Sequence, residues 1–157
     1  MITETQQYIL ETLLSKIKSH NLKSGEIIIS FQNIVKRNAE IKAIIIDFFL
    51  NNAIQTDPSP FDIKEIAEYE ATNSMKYGLS TKPNYTSADI QFSEQDQNKI
   101  VHLFLQLFEK PCFYTINDAK VYKESLDLDD SWKCGGAIII DEKSIGMLWT
   151  NDLYDKF

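Results

Sequence analysis

Hydrophobic residues recur at helical intervals through the first half of the chain. Tyr8, Ile9, Leu13, Leu14 and Ile17 fall at near-helical spacing within residues 4–20, and Thr3 or Thr5 is available to cap the first turn, so an amphipathic helix is expected there. His20 and Asn21 end it. After LKSG, Ile27, Ile28, Phe31, Ile34 and Val35 form a second helical stripe; EIIISF alone fits a strand equally, and helix is the favoured reading for residues 25–37. Residues 38–53 give the firmest helix of this half, with Ile41, Ile44, Ile45, Phe48 and Phe49 on a wide apolar face and Asp47, Asn51 and Asn52 away from its centre. TDPSP at 56–60 is a break, because each proline restricts its own φ and the residue before it. A fourth helix is expected from Phe61 or Asp62 through IKEIAEYEATNSMKY to Gly78.

The stretch 79–92 lacks periodicity and carries Pro83 and Asn84, which predicts a surface loop with at most a short strand at its end. Ser93 and Asp96 resemble a capping box with Asp in place of the usual Glu, opening a helix that Pro111 stops. His102, Gln106 and Glu109 are the only polar stripe on that helix, so protein should surround most of it. The pattern then changes. PCFYTI predicts a strand, NDAKVYKES a short helix or second strand, and GGAIIIDEKSIGMLWTND a β-hairpin across a tight Asp141–Ser144 turn. Gly135-Gly136 should bend the chain into AIIID, and Gly146 signals a bulge or a close backbone contact. These elements predict an α+β fold: a helix-rich N-terminal two-thirds (1–110) packed with a small antiparallel C-terminal sheet (111–157), in one domain over 1–157.

Length and composition agree with one folded domain. At 157 residues the chain can bury roughly 68–70% of its unfolded surface without a metal or a disulfide to hold it together. A net charge of −7 argues against nucleic-acid binding, which needs Lys and Arg to neutralise phosphates, and favours encounter with a basic protein. The acid excess belongs to residues 57–157, since residues 1–56 hold six basic and five acidic side chains. Asp62, Glu65, Glu68 and Glu70 form one acidic face, explained first by solvation. Cys112 and Cys134 lack CxxC spacing and paired histidines, so reduced thiols are the simplest reading, with a disulfide between them as the alternative. MITETQQYILETLL has no basic n-region or small-residue cleavage site, and the apolar run AIIIDFFL is short and interrupted by Asp47; a cytoplasmic protein without a membrane span is expected.

The densest acidic cluster is SLDLDDSWKCGG, residues 125–136. As a calcium loop it fails in register: with Asp127 at position one, Trp132 occupies the required glycine and Ile138 the bidentate glutamate. No phosphate loop, dinucleotide turn, HExxH helix or GxSxG elbow occurs, and only His20 and His102 offer imidazole bases. No catalytic residue, metal ligand or cofactor is therefore assigned. A Cys–His dyad of Cys112 or Cys134 with His102 is one arrangement among many. What remains is recognition. Asp127, Asp129, Asp130 and Trp132 precede one hairpin strand, Asp141 and Glu142 occupy its turn, and Trp149, Asp152 and Tyr154 lie on or after the other. This predicts an acidic-aromatic partner surface, with the turn five or six residues, or about 17–20 Å, from the open end.

Small size, acidity, missing catalytic motifs and the stretch GGAIIIDEKSIGMLWTNDLYD give a profile that resembles bacterial immunity proteins, cytosolic antidotes to polymorphic or contact-dependent toxins. The resemblance implies a non-enzymatic inhibitor of a cognate toxin domain, often a nuclease, in whose basic active site carboxylates take the place of substrate phosphates. Alternatives are a non-catalytic adaptor using the same surface and a metal-dependent enzyme of unfamiliar type.

Overall fold

The computed structural model describes residues 2–18, 25–35, 39–57, 61–80, 92–117, 120–123 and 132–153. Its elements run α1 (Glu4–Lys18), β1 (Gly25–Asn33), α2 (Ile41–Asn51), β2 (Gln55–Asp57), β3 (Asp62–Ile66), α3 (Glu68–Ser80), α4 (Glu94–Leu105), β4 (Cys112–Asn117), β5 (Lys120–Tyr122), β6 (Trp132–Ile140) and β7 (Ser144–Leu153). Five strands make one antiparallel sheet in the order β1-β7-β6-β4-β3, and β2 pairs with β5 in a separate ribbon. The fold is α+β, as expected. Its strands are not confined to the C-terminal third, because β1 and β3, from the helix-predicted front, form the two edges of the main sheet.

Strand alternation sends side chains into two cores. On one face, Phe31, Phe113, Ala137, Ile139 and Leu148 pack with Leu13 of α1, Met75 and Leu79 of α3, and Ile100 and Phe104 of α4. On the other face, Ile28, Tyr114, Ile138, Met147 and Trp149 meet Ile45, Phe48 and Phe49 of α2 together with Val121 of β5. Helices α1, α3 and α4 therefore cover one side, and α2 with the β2–β5 ribbon covers the other. The apolar run AIII, residues 137–140, is buried throughout for this reason. Full burial of each such side chain contributes about 1.5–3 kcal/mol relative to exposure.

Two elements depart from the sequence reading. Residues 25–33 form a strand, not a helix: three consecutive β-branched isoleucines suit a pleated surface, Ile28 enters one core and Phe31 the other. The supposed helical stripe fails because Ile34 and Val35 lie beyond the strand, with Val35 87% exposed. The helix expected from residue 61 or 62 is replaced at its start by β3, whose Ile63 pairs with Ile116 and Ile66 with Phe113 of β4. Glu70 reaches back to accept the Ala67 N–H at 3.2 Å, and α3 begins at Glu68. The expected loop over 79–92 falls mostly on 81–91, outside the described residues.

Other expectations hold in part, and protein does not surround most of α4, where Glu94, Gln95, Asn98, Lys99 and His102 are exposed. Ser93 Oγ accepts the Asp96 N–H at 3.1 Å at the start of α4, although the helix ends at Leu105, several residues before Pro111. His102 and Gln106 are exposed and meet at 3.0 Å between their side-chain nitrogens. The β6–β7 hairpin forms across Asp141–Ser144. Gly146 is a close contact without a bulge: it pairs regularly with Phe31 and Ile139, and an added Cβ would stand 2.7 Å from the Phe108 ring. Gly135 does not bend the chain; it lies within β6, where α3 presses on the strand. A Cβ on Gly135 would meet Ser74 O at 2.5 Å and Gly78 N at 2.7 Å, and one on Gly78 would meet Gly135 O at 2.6 Å. The Gly136 N–H donates to Ser74 Oγ at 3.0 Å across the same contact.

Because backbone lies on both sides of this contact, Gly135→Ala should destabilise the protein by about 1–3 kcal/mol, measured by urea unfolding. A loss below about 0.5 kcal/mol would show that the helix can retreat at no cost. A second test concerns α1 and α4, which are tied by Lys16 Nζ to Asp96 at 3.1 Å. The hydrogen bond and charge of Lys16 hold the Asp96 carboxyl below the usual aspartate value. The pair's contribution is thus complete above the unfolded-state value of about 3.9 and is lost as pH falls through the lower folded value. Stability curves of wild type and Asp96→Asn should converge as pH drops below about 4.

Candidate protein-docking surface

Of the residues picked out along the C-terminal hairpin, only Asp141, Glu142 and Trp149 have described side chains. Asp127, Asp129, Asp130 and Tyr154 lie outside the described residues, and for Trp132 and Asp152 the backbone alone is described. That backbone places Trp132 opposite Leu153 and Asp152 opposite Lys133 at the open end of the hairpin. Asp141 and Glu142 sit at the other end of the nine-residue strand β6, about 30 Å away rather than 17–20 Å. The hairpin is also the middle of the sheet, flanked by β4 and β1, so its two faces form cores rather than a surface.

Two of these residues have internal work. Asp141 Oδ1 accepts the N–H groups of Lys143 at 2.9 Å and Ser144 at 2.7 Å, while Oδ2 accepts that of Glu109 at 2.9 Å. Its carboxylate closes the turn and fastens it to the segment after α4. Trp149 is 3% exposed, and its indole N–H donates to Asn151 Oδ1 at 3.0 Å; Asn151 in turn donates to the Val121 carbonyl. This chain of polar contacts ties β7 to β5 inside the core. Of the three picked residues with described side chains, Asp141, Glu142 and Trp149, Glu142 alone is an exposed carboxylate at the tip.

Exposed acids and aromatics also follow one another in sequence along β3 and α3. Asp62, Glu65, Glu68 and Glu70 are all exposed, against Lys64 and Lys76 in the same stretch. Ala71, Met75 and Leu79 bury the inner face of α3, which leaves Tyr69, Asn73 and Tyr77 as an outward ridge at four-residue spacing. Tyr69 is 69% exposed and Tyr77 51%. A sequence reading that starts the helix at residue 61 or 62 obscures this ridge; started at Glu68, the same pattern puts the tyrosines opposite the apolar stripe.

An open groove of about 500 Å³ adjoins this face, with Glu65, Ile66 and Glu68 on one side and Lys110, Pro111 and Cys112 on the other. Glu65 stands opposite Tyr114 across the β3–β4 ladder. Burial first, then the neighbouring Cys112 and Glu65, raises the Tyr114 hydroxyl above the usual tyrosine value, so it keeps its proton and acts as a hydrogen-bonding group rather than a base. Cys112 is an exposed free thiol. Its backbone lies opposite Ile140, six residues along β6 from Cys134, or about 20 Å, beyond the reach of a disulfide. Among the described residues no group of three or more His, Cys, Asp or Glu is placed to hold a metal ion, and no helix is long and apolar enough to cross a membrane.

An acidic stretch with two exposed tyrosines beside an open groove offers chemistry for binding by shape and charge. A different role follows for Asp141. Asp141→Ala should cost about 0.5–1.5 kcal/mol in chemical denaturation by removing hydrogen bonds that close the turn; equal stability of wild type and variant would show that the turn closes without its carboxylate. Comparison with protein-family models, curated proteins and solved structures finds no match to this chain.

Proposed function

We propose that this chain is a non-catalytic inhibitor of a basic protein, acting in the cytoplasm as an immunity protein does against its cognate toxin, and that the β3–α3 face makes the contact. The observation that supports this reading is the exposed Tyr69–Tyr77 ridge on the same stretch as four exposed carboxylates. Aromatic side chains of two torsions lose little entropy on binding, and carboxylates around them steer a cationic partner while selecting against acidic ones. The chain's charge of −7 extends the same field over a longer range. Inhibition would be steric and electrostatic, with Tyr69 and Tyr77 slowing dissociation and Glu65 and Glu68 speeding encounter.

The test is binding of the purified chain to the toxin domain encoded by the adjacent gene. A stoichiometric complex that silences the toxin is expected. Tyr69→Ala and Tyr77→Ala should each weaken it by about 30-fold, a hot-spot effect of about 2 kcal/mol seen mainly in koff. Glu65→Lys with Glu68→Lys should lower kon by about 10-fold and flatten its salt dependence. Absence of a complex, or unchanged kinetics in all these variants, sinks the assignment.

A further inference from the structure

The two edges of the main sheet are built in opposite ways. β3 is five residues long and carries exposed Asp62, Lys64 and Glu65, the usual protection against pairing with another chain. β1 is nine residues long, pairs with β7 without a bulge, and has neither proline nor any ionisable residue from Ile27 through Val35. Long, neutral and apolar edges are the ones that accept a further strand.

The outward-facing groups can be identified. Ile34 donates its N–H to Lys143 O at 2.8 Å, which continues the β1–β7 register and makes Ile34 and Lys143 a hydrogen-bonded pair. Alternation along an antiparallel strand then directs the N–H and C=O of Ile28, Ser30 and Gln32 toward β7. Those of Ile27, Ile29, Phe31 and Asn33 turn to the outer edge, where no backbone partner meets them among the described residues.

We infer that a second copy of this chain pairs with β1, antiparallel across a twofold axis at Ile29, to give a continuous sheet through two protomers. Three features select this occupant. The axis at Ile29 overlaps all nine residues, Gly25 through Asn33, and falls on an outward-bonding residue, so full overlap and hydrogen-bond register coincide. It sets Ile27 of each copy opposite Phe31 of the other and Ile29 opposite its own equivalent, favourable cross-strand pairs with no like charges facing. For a chain of charge −7, copies repel over much of their surface, and this edge carries one ionisable residue, Glu26, which the axis at Ile29 sets opposite the uncharged Gln32 of the other copy. The apolar Val35, just beyond the strand, is exposed. A small cavity of about 50 Å³ between Ile34 and Ala43 has room for a few atoms of a side chain, not for a cofactor.

Sedimentation and amide exchange on the full chain test the inference together. The expected result is twice the chain mass at about 100 µM, dissociating on dilution, with the amides of Ile27, Ile29, Phe31 and Asn33 protected as well as those of Ile28, Ser30 and Gln32. Ile29→Pro removes an outward N–H and no bond to β7, a position where an edge strand tolerates proline. It should leave the far-ultraviolet circular dichroism intact and yield a monomer. A wild-type monomer with fast exchange at the odd-numbered amides overturns the inference, as does a folded Ile29→Pro dimer. Protection of those amides only after a basic partner is added would also overturn it and give the edge to that partner. Should Ile29→Pro not fold, the exchange pattern of the wild-type dimer decides alone.

Discussion

The β6–β7 hairpin is dry on both sides, and every other element is arranged around keeping it so. Ala137 and Ile139 need α1, α3 and α4 on one face; Ile138, Ile145 and Met147 need α2 and the β2–β5 ribbon on the other. At that depth a missing partner is expensive, so Trp149 and Asn151 share a bond in the core, while at the more open turn Asp141 collects the N–H groups. The Gly78–Gly135 contact sets how closely the helical layer can approach. A side chain at either position would hold α3 off the sheet and loosen the packing of Met75 and Leu79 beneath it.

Function, on this architecture, is left to the margins. The described centre of the sheet is buried, which is why Trp149 and Asp141, which resemble interface groups in composition, are structural in place. The periphery divides between an acidic aromatic face on β3–α3 and a neutral edge on β1. These differ in the physics they offer, one long-ranged and salt-sensitive, the other short-ranged and set by backbone register. β3 and β1 are opposite edges of the same sheet, and α3 lies over β6 and β7 between them.

How far the sequence discloses this depends on how local each determinant is. The Ser93 cap, the Asp141–Ser144 turn and the α2 stripe rest on residues within a few positions of one another, and all three are visible in the pattern. Residues 25–33 are harder, because a strand buried on both faces loses the alternation of polar and apolar side chains that marks a half-exposed one, leaving EIIISF compatible with either period. DIKEI at 62–66 misleads in the opposite sense: Ile63, Ile66 and Ala67 continue the helical spacing of α3, and only pairing with β4 converts them to a strand. Trp149 and Tyr69 show the limit most clearly. Each is an aromatic among acids, and only the layers packed around them decide that one is core and the other surface.

The register of the main sheet joins Gly25 to Asp152, bringing the first strand of the chain against the last. A ribosome that has released everything up to β6 has still not made the strand on which β1 closes. The nascent chain must therefore carry its isoleucine-rich β1 without its native neighbour until Ser144–Leu153 has been made. That ordering makes the assembly of this sheet a late, non-local event and places its greatest exposure to misassociation at the ribosome rather than in the finished protein.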